Sequence, residues 1–180
     1  MNIPSQQWAI NYLKSQGDLS SHFLPEIIQS VPWSEVTRFE TTKGFVYLKK
    51  TPSALSLEPN VIKILSEKYP TEVPVIIAFN KELNCFLMRD SGVPLRQFFQ
   101  AGFQSEFLYQ AIKIYTAMQL SAIDNLNAFI EIGVPDWRLE KLPELYRYYI
   151  AHEELLISDG LTPNELEKLR QLQSEVTRLC

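Results

Sequence analysis

The sequence is poor in the residues that carry most metal and nucleophile chemistry. Two cysteines occur in 180 residues, Cys85 within an apolar run and Cys180 at the last position. Neither spacing suggests a disulfide scaffold or a thiolate metal site, so both are expected to be free thiols in a reducing compartment. The two histidines, His22 and His152, stand far apart, and no Cys/His metal cluster is expected. No apolar run approaches the length of a membrane span, and no basic segment followed by an apolar one opens the chain. Positive charge is also short: 17 Lys and Arg against 21 Asp and Glu leave a net charge of −4, with the cations scattered among acids. Neither nucleic acid nor a membrane is an expected partner, and a cytoplasmic protein is expected. Repeats and low-complexity tracts are lacking.

What is present suits a packed core: 46% hydrophobic and 21% charged residues. Ser5 to Gln16 places Trp8, Ala9, Tyr12 and Leu13 on one helical face, with Gly17 as a stop. From Glu26 the composition turns β-branched and aromatic, which predicts strands at 26–31, 35–41 and 45–50, the last two joined as a hairpin by Thr42-Lys43-Gly44. Pro59 to Tyr69 has helical spacing, with Pro59 suited to a first turn. Two further apolar runs, 73–79 and 84–89, form a second predicted hairpin around Asn80-Lys81-Glu82. After Pro94 only helices are predicted, over 107–126, 142–156 and 163–179. Strands followed by helices imply an α+β fold with segregated layers, and Asp90 to Pro94 is the natural hinge.

This order resembles the small lobe of kinase-like phosphotransferases. The segment from Val36 to Lys49 (VTRFETTKGFVYLK) is similar to the aminoglycoside phosphotransferase family, as are Glu58, the Val73-Pro74 start of the fourth strand, and Leu87-Met88-Arg89-Asp90-Ser91-Gly92. Tyr115, Met118, Gln119 and Leu120 match that family's first large-lobe helix, so the resemblance spans roughly Trp8 to Leu145. It implies a five-stranded antiparallel sheet plus helix over residues 1–91, a nucleotide-binding small lobe, and a partial helical large lobe over 92–180.

Strand alternation puts Phe45, Tyr47 and Lys49 on one face and Val46, Leu48 and Lys50 on the other. If the first face looks into a nucleotide cleft, Lys49 can reach phosphates as a compact cation. The resemblance implies that Tyr47 stacks on adenine, that Glu58 pairs with Lys49, that Met88 lines the pocket, and that backbone groups of Arg89 and Ser91 bond the base. Read alone, the two lysines equally suit a solvated strand end, Glu58 a carboxylate at a helix start, and Asp90 to Pro94 a plain turn. Pro59 disfavours helical backbone before it, which sets Glu58 at the helix start.

Two features depart from the family. The turn Val31-Pro32-Trp33-Ser34 has no glycine, so a looser phosphate cover is expected. More seriously, the His-Gly-Asp loop and the later magnesium aspartate are missing, so no catalytic or metal residues are assigned. Asp159 and Asn164 match only the Asp-to-Asn spacing, and Thr162-Pro163-Asn164-Glu165 reads better as a capping box. Asp124 reads as a polar helix end and Asp136 as a cap for the following helix. The expected function is a truncated or degenerate ATP-dependent small-molecule phosphotransferase, inactive alone, binding ATP weakly, with magnesium only in complete relatives. The alternative is a noncatalytic nucleotide- or protein-binding module associated with a partner chain. Amphipathic helices left without cover make a second copy or a complementing chain an expected partner.

Overall fold

Five runs of β-branched and aromatic residues become five strands: β1 Glu26–Val31, β2 Ser34–Thr41, β3 Gly44–Lys50, β4 Ile76–Asn80 and β5 Cys85–Arg89. In the computed structural model, which describes residues 3–19 and 24–180, they form one antiparallel sheet in the order β1-β2-β3-β5-β4. His22 lies outside the described residues. The chain is thus α+β, as its sequence implies. Only Thr42 and Lys43 stand between the paired ends Thr41 and Gly44, a tighter turn than a three-residue loop. Gly44 adopts φ +99°, a conformation in which a side chain is strained. The Thr41 hydroxyl closes this turn, donating to the Gly44 carbonyl at 2.6 Å and accepting from the Lys43 N–H at 3.2 Å.

Register decides which face is buried. Phe39 pairs with Val46, and Leu48 with both Thr37 and Leu87, so these side chains share one face. Ala9 and Leu13 of α1 (Pro4–Ser15) pack onto that face, and Phe39, Val46, Leu48 and Leu87 are buried there. Full burial of such side chains stabilises by about 1.5–3 kcal/mol each. A 12-residue helix is marginal by itself. Its end is fastened to the β2–β3 turn: the Asp18 carbonyl accepts from the Thr42 N–H at 2.8 Å and its carboxylate pairs with Lys43 at 2.6 Å.

Helix α2 (Glu58–Ser66) begins at Glu58, as the following proline requires, and lies toward the opposite face beside β4, with Ile62 buried. Beyond the sheet come α3 (Leu95–Phe98), α4 (Ser105–Ile123), α5 (Leu126–Glu131), α6 (Leu142–Ala151), α7 (Glu153–Ser158), α8 (Pro163–Gln171) and α9 (Gln173–Leu179). Three helices expected to be continuous are each broken. The one over 107–126 ends at Ile123 with Asp124 as C-cap, that over 142–156 breaks at His152 (φ −87°, ψ 58°), and that over 163–179 breaks at Leu172. At His152 the imidazole Nδ1 turns back to 2.7 Å from the Tyr148 carbonyl.

The chain divides into two compact units, Met1–Gly133 and Val134–Cys180. The change from strands to helices at residue 91/92 therefore falls inside the first unit. The reason is α2 and the residues flanking it, which join the helices after the hinge to the sheet: the Tyr69 hydroxyl donates to the Ala117 carbonyl of α4 at 3.0 Å, and Leu57 lies against Gly133 just after α5. In the second unit Ile150 and Leu166 are buried, and the Tyr146 hydroxyl donates to the Leu169 carbonyl at 2.7 Å. The capping box at the start of α8 forms as read from the sequence. Thr162 Oγ1 accepts from the Glu165 N–H at 3.3 Å, and the Glu165 carboxylate accepts from the Thr162 N–H at 2.9 Å. Among the described residues no helix is long and apolar enough to cross a membrane.

Candidate functional site

The face of β3 turned away from α1 carries Tyr47 and Lys49, because Leu48 between them is committed to the core. Cross-strand neighbours complete the surface: Arg38 and Val36 on β2, Met88 and Phe86 on β5. Tyr47, Lys49, Val36 and Met88, together with the β1–β2 turn and the segment from Arg89 to Pro94, line a groove of about 420 Å³. Met88, Arg89 and Ser91 all contribute to its wall.

Lys49 does not hang free. Its Nζ lies 2.7 Å from Glu58 Oε1, with both side chains partly buried. Glu58 occupies the first position of α2, where the helix dipole favours a carboxylate. Lys50, one residue on, faces the other way and is exposed. Five of the six residues named from the sequence thus line one groove, and the sixth, Glu58, is ion-paired to one of them.

The floor past β5 is a tight turn. The Asp90 N–H donates to the Phe45 carbonyl at 3.2 Å, and Asp90 Oδ1 accepts from the Gly92 N–H at 3.0 Å. On the same sheet face Arg38 bonds Glu26 at 2.6 Å and lies 4.5 Å over the Phe45 ring. The Glu26 carboxylate pushes the Arg38 guanidinium above its ordinary value, so it stays charged.

Sequence reasoning missed one wall: Ile28, Gln29, Trp33, Ser34 and Val36. Alternation would have put Ser34 on the face of Val36, but the turn was read only for its lack of glycine. Ser34 is the most informative of these residues. It is only 6% exposed, and its hydroxyl has no hydrogen-bond partner among the described residues. A buried hydroxyl without a partner costs about 1–3 kcal/mol and therefore calls for an explanation.

Other candidates have structural employment. Asp136 does not cap a helix by itself. It clasps Arg138 through two side-chain bonds of 2.8 and 2.7 Å, which draws its carboxyl down to about 2. Asp159 is the C-cap of α7 and Asn164 stands in the first turn of α8. Burial pushes the Cys85 thiol up to about 11, whereas Cys180 is exposed. Among the described residues no three His, Cys, Asp or Glu side chains gather where they could hold a metal. Compared with the models of known protein families and with curated proteins, the chain matches none.

Proposed function

We propose that this groove binds an adenine nucleotide, and that these residues form a nucleotide lobe related to that of the aminoglycoside phosphotransferases, which transfers no phosphoryl group alone. The observation that carries the reading is the convergence of Tyr47, Lys49, Met88, Arg89 and Ser91 on one groove, with Glu58 holding the Lys49 ammonium. Tyr47 and Met88, cross-strand neighbours, offer a flat apolar surface for a base. Lys49 offers the charge for phosphates, positioned by a partner that keeps it ordered. The sheet order and the turn after β5 suit a kinase-like small lobe, with the first helices of a large lobe after it.

The groove suits a nucleotide better than it suits magnesium. Among the described residues Asp90 is the single carboxylate in its wall, and that carboxylate is already bonded by the Gly92 N–H. No step through a metal is assigned. The 180 residues contain no His-Gly-Asp segment, the motif expected to carry a base for the acceptor hydroxyl in that family. A noncatalytic module working with a partner chain is the second reading, favoured by the exposed apolar length of α4.

Calorimetric titration with ATP and with ADP tests the assignment. The wild-type chain is expected to bind weakly, and Lys49→Met to bind at least about tenfold more weakly, since a charge-assisted contact is lost. No heat from either nucleotide at millimolar concentration, or equal affinity in the folded variant, overturns it.

A further inference from the structure

A second recess, of about 330 Å³, opens at the start of α2, and every residue that lines it belongs to the unit Met1–Gly133. Thr51 after β3, Leu57 and Asn60 at the start of α2, and Phe79, Lys81 and Asn84 around the β4–β5 turn form its walls. It shares no lining residue with the groove on β3. Its size suits a small organic molecule.

Polar groups that wall a recess are ordinarily bonded to one another, and here they are not. The Thr51 N–H donates to the Asn84 carbonyl at 3.0 Å, which prolongs the β3–β5 ladder and sets the Thr51 side chain on the face of Lys49. Thr51 is only 7% exposed, yet its hydroxyl forms no hydrogen bond among the described residues. The Asn60 and Asn84 amides are equally unengaged there, and Lys81 has no carboxylate partner. The turn that presents them is braced: the Leu83 N–H donates to Asn80 Oδ1 at 3.0 Å and the Asn84 N–H to the Lys81 carbonyl at 3.3 Å. Charge points one way. The chain has 21 acidic residues, but among the described residues no Asp or Glu lines this recess. Glu58, which follows Leu57, is bound to Lys49 instead.

We propose that this recess binds a small organic monoanion, a carboxylate carried on an apolar ring or chain. The carboxylate accepts from the Lys81 ammonium, the Asn60 and Asn84 amides and the Thr51 hydroxyl, beside a helix start whose dipole favours negative charge. The apolar body lies against Leu57 and Phe79, an aromatic ring otherwise 57% exposed. With Lys81 as the single cation in the wall, a doubly charged phosphate would be left half compensated. This site stands independently of nucleotide binding in the groove.

Titration of the nitrogen-labelled chain with benzoate, and with benzamide as its neutral counterpart, tests the site by NMR. Benzoate at millimolar concentration is expected to shift the side-chain amide signals of Asn60 and Asn84, and benzamide to bind at least about tenfold more weakly. Lys81→Met, on an exposed turn, is expected to weaken benzoate by about tenfold and to leave benzamide unaltered. Thr51→Val removes the hydroxyl while keeping the shape, and is expected to weaken benzoate by about threefold. Shifts confined to the surroundings of Tyr47 and Met88, equal affinity for benzamide, or undiminished benzoate binding by the folded Lys81→Met chain overturns the proposal. The absence of any saturable shift with benzoate does so equally.

Discussion

Cys85 and Cys180 carry the same thiol in opposite surroundings, and the difference is measurable. Packed in the core beneath α1, Cys85 keeps its proton up to about 11 because burial penalises the thiolate. The unfolded chain releases that proton near the ordinary value of 9.0. The native state therefore binds the proton more tightly between those values, and the stability it contributes below them is lost as pH rises through that window. A disulfide-exchange reagent at pH 8 is expected to label Cys180 quickly and Cys85 only after denaturant is added. Equal native rates at both sites would contradict the packing. The Lys49–Glu58 pair shows the limit of reading residues from sequence. Pro59 announced that Glu58 begins a helix, but a 2.7 Å contact depends on where that helix lies, which no local pattern states.

Among elements, four strands were legible to within a residue because alternation, Gly44 and the polar turns all point the same way, whereas β4, expected from Val73, begins only at Ile76, past Pro74, which has no N–H to give a ladder. Helix starts were legible where a proline or a capping box marks them, as at Glu58 and Thr162. The breaks at His152 and Leu172 were not, since neither proline nor glycine stands there and each side remains amphipathic. Nor could periodicity show that α1 covers the core face of the sheet, or that α4 and α5 stay with the sheet unit. Both are matters of tertiary packing. The capping box permits a direct test. Thr162→Ala removes the acceptor for the Glu165 N–H and is expected to cost about 1 kcal/mol in a urea titration followed by circular dichroism, while Thr162→Ser costs less. Two further bonds hold the Glu165 carboxyl below its ordinary range: it accepts from the Thr162 backbone N–H, the larger cause, and from the Thr162 hydroxyl. That contribution is present above the ordinary value of 4.5 and is lost as pH falls through the lowered one; Thr162→Ala removes only the hydroxyl's share and should flatten the acid limb in part.

For the whole molecule, the proposed reading separates binding from turnover. In that reading Lys49, Tyr47 and the turn after β5 would supply groups for a nucleotide, while among the described residues no free pair of carboxylates lines the groove. Incubated with magnesium and labelled ATP, it is expected to transfer no phosphate to aminoglycosides or amino alcohols beyond the level of Lys49→Met. Turnover that depends on Lys49 would refute this. The strand order has a consequence for how such binding would be seen. Tyr47 and Lys49 ride on β3, which is hydrogen-bonded on both sides by β2 and β5, so their amides exchange with deuterated solvent only when the sheet itself opens. A ligand resting on them has little protection left to add there. The edge strand β1 and the turn bearing Trp33 and Ser34 form the opposite wall of the same groove, and their backbone is open along one side among the described residues. Slowed isotope uptake there, rather than at the residues that carry the charge and the ring, would be the mark left by an occupant.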